Sequence, residues 1–172
     1  MSSHDEWRIA FAKQALADLL AREKLLEHPE VPDCQQLHFL QMACEKLCKA
    51  YLCGQGVDPQ TLQSSHAYIS RPLPIIARQQ FAQEARKVHP DRSWVIKAVR
   101  SLARKIELLA PAVNDAGRQP ANCEYPWAGP DGKVRAPAEH NFGLDLLHEK
   151  AGRHLLKVLY MAAEELTAAP LA

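Results

Sequence analysis

The chain has 172 residues, which is the usual length of one domain and enough to bury a hydrophobic core without disulfides or metal ions. We therefore expect a single domain over 1–172. Lys and Arg together number 21 and Asp and Glu number 20, so the net charge of +1 argues against a protein that coats DNA or anionic membranes. Seven Gly and 6% aromatic residues argue against a many-stranded sandwich or barrel.

The compartment is indicated by the apolar runs and the cysteines. No run reaches the roughly 18–20 residues that span a bilayer, and the polar start MSSHDEWR lacks the apolar core of a secretory signal. Five cysteines are an odd number without a CxxC pair, which excludes a complete disulfide framework. We expect a cytoplasmic protein that does not associate with membranes.

The cysteines of the second predicted helix raise the question of a metal site. Cys44 and Cys48 lie four residues apart, with His38 and Cys53 nearby. Cys44 falls on an apolar stripe, however, where a free cysteine behaves as a small buried hydrophobe, and the four ligands of structural zinc are not spaced recognisably. We expect no metal and no cofactor.

The twelve prolines leave four long proline-free stretches, at 1–28, 33–58, 91–110 and 138–169. Proline breaks a helix interior, so each stretch is a candidate helix, and a fifth is predicted from about Leu73 within 66–88. The pattern predicts an all-α bundle of about five helices. We expect the last helix to run from about Leu144 to Leu166.

The first two helices carry recognisable start signals and apolar stripes. Ser3 and Glu6 have capping-box spacing, and Asp33 is predicted as the N-cap of the second helix, which should stop near Gly54. The apolar stripe of the first helix comprises Trp7, Phe11, Leu16, Leu19, Leu20 and Leu26. The inner face of the second comprises Leu37, Leu40, Cys44, Leu47 and Tyr51. Its charged residues Glu45, Lys46 and Lys49 are predicted to form a solvated face with weak ion pairs.

The two later helices are separated by an unusual segment, 111–140, which contains five prolines. The helix before it should begin at Asp91 or Ser93, end near Pro111 and face inward with Val95, Val99, Leu102, Ile106 and Leu109. Within the segment, NCEYPW and GKVRAP flank the turn signal AGPDG. This predicts either a long Pro-rich loop or a short β-hairpin, and long ordered loops are often functional.

The second helix carries a family resemblance. In LHFLQMACEKLCKAYL, an aromatic residue, Gln, Ala, Glu-Lys and Lys-Ala occur at the spacing of the HEPN family of nucleotide-binding helical domains, and SSHAYI supplies the Ser-His pair that follows. The matching residues are Phe39, Gln41, Ala43, Glu45, Lys46, Lys49, Ala50, Ser65 and His66. The chain thus resembles a divergent HEPN domain. The resemblance implies a homodimer, a nucleotidyltransferase-like partner protein and a role in a bacterial toxin–antitoxin or defence system.

Many HEPN proteins are metal-independent ribonucleases with an Arg, four to six residues and a His near the last helix. RAPAEH matches with Arg135 and His140. The resemblance then implies that His140 takes the proton of a ribose 2′-hydroxyl and that Arg135 holds the scissile phosphate. Pro137 breaks any helix through this motif, so we expect Arg135 to project from a loop and His140 to cap the last helix. Spacing this loose also arises by chance, and Arg22 with His28 is a second match.

A second candidate site lies in the same segment. Aromatic rings, an amide and a carboxylate on one loop can stack a base and bind its edge, which predicts RNA or ligand binding by Arg118, Asn122, Glu124, Tyr125 and Trp127. Such aromatic rings can instead pin the loop to the core. Three interpretations therefore stay open: a non-catalytic module that binds RNA, a nucleotide or a protein; a metal-independent endoribonuclease; and a purely structural helical protein.

Overall fold

The computed structural model describes residues 3–85, 93–111 and 120–168. Within these residues the protein is an all-α bundle with a single small hairpin, which confirms the predicted fold class. The helices are α1 (His4–Leu26), α2 (Asp33–Gly54), α3 (Pro59–Gln63), α4 (Pro72–Ala85), α5 (Ser93–Glu107) and α6 (Lys150–Ala168). The strands β1 (Trp127–Ala128) and β2 (Val134–Arg135) precede two 3-10 helices, Pro137–Glu139 and Asp145–Leu147.

The start of α1 is fixed by the predicted capping box. The Glu6 backbone N–H donates to Ser3 Oγ over 3.2 Å, and the Ser3 backbone N–H donates to Glu6 Oε2 over 2.7 Å. Two backbone donors that the helix cannot satisfy internally are thereby paired.

Ser3→Ala is expected to lower the free energy of unfolding by about 1 kcal/mol, because it removes one half of the box. Chemical denaturation followed by circular dichroism measures this difference. Ser101→Ala, at an exposed position inside α5, is the matched control and should leave stability unchanged or slightly raised. An equal effect at both serines would contradict the capping role.

The buried face of α1 differs from the predicted stripe. Leu20 and Leu26 are 51% and 45% exposed, so their assignment to the inner face was wrong, whereas Leu19 is buried. The buried residues of α1, which packs on both α2 and α6, are Arg8, Ala12, Ala15, Asp18, Leu19 and Arg22. The small alanines let α1 and α2 approach closely. Asp18 Oδ2 forms an ion pair with Lys46 Nζ of α2 at a distance of 2.6 Å. Charged side chains are therefore buried on this helix, where the hydrophobic pattern predicted leucines.

The central helix of the bundle is α2. It contacts α1, α3, α4, α5, α6 and the 3-10 helix Pro137–Glu139. The predicted inner residues are buried, with Tyr51 partly so, and the helix ends at Gly54 as expected. Its start differs in detail, because the N-cap is Pro32 and no side chain caps the first turn. Asp33 lies inside the helix, where its Oδ1 accepts from Gln36 Nε2 over 2.8 Å.

The charged face of α2 is not solvated. Glu45 and Lys49 are only 4% and 5% exposed, which contradicts the predicted surface role, and the Lys46 side chain is 18% exposed. The reason is that neighbouring elements surround α2 on several sides, so no broad face of it is left to water.

The remaining helices close the core around α2. The predicted inward residues of α5 are all buried, while the Asp91 alternative for its start lies outside the described residues. The last helix begins at Lys150, six residues later than predicted, because Asp145–Leu147 forms a separate 3-10 turn. No helix in the described part of the chain is long and apolar enough to cross a membrane.

Candidate functional site

The segment before α6 contains a short hairpin, which is one of the two alternatives that the turn signal left open. β1 and β2 pair antiparallel, with Trp127 opposite Arg135. Gly132 adopts a φ of +75°, a conformation that favours glycine in turns. Gly129 is required by close approach, because a Cβ there would lie 2.7 Å from Arg135 Nε and from Asp131 Oδ1. A side chain at position 129 would therefore collide with the Arg135 guanidinium in its present position.

Arg135 and His140, the predicted catalytic pair, line the same open pocket of about 370 Å³. Asp131, Lys133 and Glu139 line it with them. The pocket thus combines a guanidinium, an ammonium and an imidazole with two carboxylates. The first three are the groups that hold a phosphate and move a proton.

Arg135 lies on β2 rather than on an irregular loop, and its Nη2 is 3.3 Å from Asp131 Oδ2. A hydrogen bond from the Lys133 backbone N–H and the nearby Arg135 guanidinium lower the pKa of the Asp131 carboxyl. Asp131 is therefore ionised at neutral pH and keeps the guanidinium close to the turn.

His140 does not cap the last helix, contrary to expectation. It follows the 3-10 helix Pro137–Glu139, and its backbone N–H donates to the Pro137 carbonyl over 3.1 Å. Its ring packs edge-on against Trp127 and Phe142, with centroid distances of 5.0 and 4.7 Å. Proline interrupts the helical path here, and nine residues lie between His140 and Lys150, the first residue of α6.

The residues of the predicted base-binding loop have different roles in the structure. Asn122 is buried; its Nδ2 donates to the Pro120 carbonyl, and its Oδ1 accepts the backbone N–H groups of Glu124 and Tyr125 over 2.9 and 2.7 Å. Asn122 therefore shapes the loop, while the Tyr125 residue is 61% exposed. Arg118 lies outside the described residues.

The other two loop residues contact neighbouring elements. Glu124 Oε1 lies 3.7 Å from His38 Nδ1 of α2, and both side chains are partly exposed. Trp127 is half-buried against the His140 ring, so this aromatic residue helps to anchor the segment.

A buried polar cluster on α2 was missed as a functional candidate by pattern analysis. Glu45 Oε1 lies 2.6 Å from Lys49 Nζ, Gln41 Nε2 donates to Glu45 Oε2 over 3.0 Å, and His66 Nδ1 lies 3.1 Å from the same oxygen. The only advance signal was that these four residues carry the family resemblance. Glu45 orients the half-exposed His66 imidazole and ties the segment before α4 to α2.

The cysteines form no such site. All five are free and buried, and burial raises the pKa of Cys44 and Cys123 to about 12, so these two remain thiols at neutral pH. In residues 3–85, 93–111 and 120–168, no group of three or more His, Cys, Asp and Glu side chains is placed to hold a metal ion.

Comparison with known proteins does not assign the chain to a family. The chain matches no protein-family model, and neither a curated protein nor a solved structure is significantly similar to it.

Proposed function

We propose that this protein is a divergent HEPN-type module that binds single-stranded RNA at the hairpin pocket. The observation that carries the proposal is the common pocket of Lys133, Arg135 and His140. The family part is supported by the buried cluster, in which Gln41, Glu45, Lys49 and His66 pair with one another. Helical spacing alone makes Gln41, Glu45 and Lys49 neighbours, and the contact that spacing does not explain is that of His66, which comes from the segment after α3.

The pocket suits a short stretch of RNA backbone. Lysine and arginine donate to phosphate oxygens, and an exposed aromatic ring can stack a base whatever its identity. Tyr125 lies two residues before Trp127, which is the strand partner of Arg135. Asp131 and Glu139 offset part of the positive charge of the pocket, so we expect it to contact only one or two phosphates. Binding should therefore be modest and only weakly dependent on salt.

Arg135→Ala is expected to weaken binding of a labelled single-stranded RNA about tenfold, the effect of losing one charge-assisted phosphate contact. Fluorescence anisotropy across a salt series measures both the affinity and the salt slope. For one or two phosphates the slope of log K against log salt should be roughly −0.7 to −1.4.

Arg78→Ala is the matched control, since Arg78 is an exposed arginine of α4 outside the pocket. Equal affinities for the two variants would contradict RNA binding at the hairpin.

The second candidate function is metal-independent RNA cleavage, favoured by the placement of Arg135 and His140 in one pocket. In this reaction His140 removes the proton of the 2′-hydroxyl, and the resulting oxygen attacks the adjacent phosphorus. The bond to the 5′-oxygen breaks, leaving a 2′,3′-cyclic phosphate and a 5′-hydroxyl that takes up a proton. Arg135 stabilises the charge that grows on the phosphate oxygens.

If this reaction occurs, His140→Ala should lower the cleavage rate in excess EDTA by roughly 10²–10⁴-fold. His28→Ala, at an exposed histidine paired with Glu30, serves as the control for general effects of removing an imidazole. Cyclic-phosphate product ends, lost only in His140→Ala, support the enzyme. If the protein binds RNA but does not cleave it, the result supports the non-catalytic binding module instead.

The family resemblance extends the proposal to assembly. A homodimer would bring two hairpin pockets together, and a nucleotidyltransferase-like partner would place the protein in a toxin–antitoxin or defence system. Light scattering coupled to gel filtration measures the molar mass in solution and so tests the homodimer directly. A strictly monomeric protein at micromolar concentration would contradict it.

A further inference from the structure

Arg22, near the carboxyl end of α1, is a buried cation. The residue is only 6% exposed, and its Nε has no hydrogen-bond partner among the described residues. A buried guanidinium nitrogen without a partner is costly, because burial removes the water that would otherwise solvate it. An arginine stays protonated in proteins, so it cannot escape this cost by losing its charge.

Among the described residues, the titratable groups that act on Arg22 do not supply a buried counter-charge. These titratable groups are Tyr160, Cys44 and Glu23. Burial raises the pKa of Cys44 to about 12 and also raises the pKa of Tyr160, so both are neutral at pH 7. Glu23 lies on the exposed side of α1, where solvent screens its charge.

Arg22 lines a cavity of about 50 Å³, enough for a few water molecules or one phosphate group. The other walls come from the first turn of α2, at Asp33 and Gln36, and from the segment between the hairpin and α6, at Asn141 and His148. Hydrogen-bond donors therefore reach the cavity from three separate parts of the chain.

The first turn of α2 forms one wall of the cavity. No side chain caps this 22-residue helix, so its first backbone N–H groups have no side-chain acceptor, although the Asp33 carboxylate offsets part of the partial positive charge of the amino end. The Asp33 carboxylate accepts from Gln36, and Asn141 Oδ1 accepts the Gly143 N–H, which leaves the Asn141 amide NH₂ as a donor. Asp33 and Asp145 are exposed residues at the rim, so water screens their charges more than that of Arg22.

We propose that this cavity is a binding site for a phosphate group, held by Arg22 at its base and by Asn141, His148 and the start of α2 around it. A tetrahedral oxyanion presents oxygens in the several directions from which these donors come, whereas a carboxylate presents two in one plane. The site is separate from the hairpin pocket and does not depend on the proposed RNA binding, since the two cavities share no lining residue.

The test is isothermal titration of the full-length protein with inorganic phosphate and, separately, with adenosine 5′-monophosphate. We expect one site per chain, at least tenfold weaker in Arg22→Met, with the phosphate-dependent rise in melting temperature lost in that variant. Arg78→Met is the control and should bind like the wild type. Tighter binding of the nucleotide identifies a phosphate monoester as the ligand, and equal binding identifies phosphate itself.

Folding effects can be separated from binding in two ways. Arg22→Met removes a buried charge whose Nε has no partner among the described residues, so without phosphate it should melt at or above the wild-type temperature. Asn141→Ala changes an exposed residue and should weaken phosphate binding several-fold even if Arg22→Met fails to fold. Phosphate affinity that is absent in the wild type, or unchanged in Arg22→Met or Asn141→Ala, would overturn the proposal. Arg135→Ala must leave this affinity intact, which distinguishes the site from the hairpin.

Discussion

Lys49→Met is expected to lower the free energy of unfolding by about 3–5 kcal/mol, the cost of breaking a buried ion pair by removing one partner. Lys49 and Glu45 are both about 95% buried, and their charged atoms lie 2.6 Å apart. Without Lys49, the Glu45 carboxylate stays in the interior with only the Gln41 amide and the His66 ring beside it. Urea denaturation of the two proteins measures the difference.

Two further variants test the reason for this loss. Lys24→Met removes an exposed lysine whose side chain is 76% accessible and which pairs with Glu27, so it should change stability by no more than about 0.5 kcal/mol. The double variant Glu45→Gln/Lys49→Met removes both charges and should be more stable than Lys49→Met alone. A Lys49→Met protein as stable as Lys24→Met would show that the pair does not stabilise the fold.

Leu47→Ala is expected to cost about 2–5 kcal/mol, because it opens a cavity in the centre of the bundle. Leu47 is 1% exposed and lies on the face of α2 that the apolar spacing predicted. The matched control is Leu20→Ala, since Leu20 of α1 is 51% exposed and should contribute within about 0.5 kcal/mol. Thermal and urea unfolding of both variants give the comparison. Similar losses at both leucines would contradict the packing of α1 on α2.

Several elements follow from local chemistry that the sequence displays directly. The capping box of Ser3 and Glu6 starts α1, and the apolar spacing of α5 correctly selects its buried face. The turn signal around Gly132 is followed by a hairpin in the structure. These predictions succeed because each depends on interactions between residues that are close in the chain.

The position of α6 could not be predicted as well. The apolar spacing continues from Leu144 through Leu147 into the helix, yet Asp145–Leu147 forms a separate 3-10 turn. Both leucines are buried whether or not the helix includes them. Periodicity reports which side chains face the core, and it does not distinguish two backbone paths that bury the same residues.

The sequence identified the residues of one candidate site, and the fold decided which residues lie together. Residue types and spacing selected Arg135 and His140, but the hairpin and the Pro137 turn put them in one pocket. The Arg22 cavity left no signal in the sequence, because its walls come from α1, α2 and a segment more than 100 residues away.

The sequence by itself determined the helical class, the start of α1 and the buried faces of α2 and α5, since those depend on local hydrogen bonds and apolar spacing. Only the tertiary structure decided which polar residues are buried. Glu45 and Lys49 read as a surface pair along the chain, and they became an interior pair because neighbouring elements cover α2 from several directions. Burial depends on what packs against a residue from distant parts of the chain, and no local pattern contains that information.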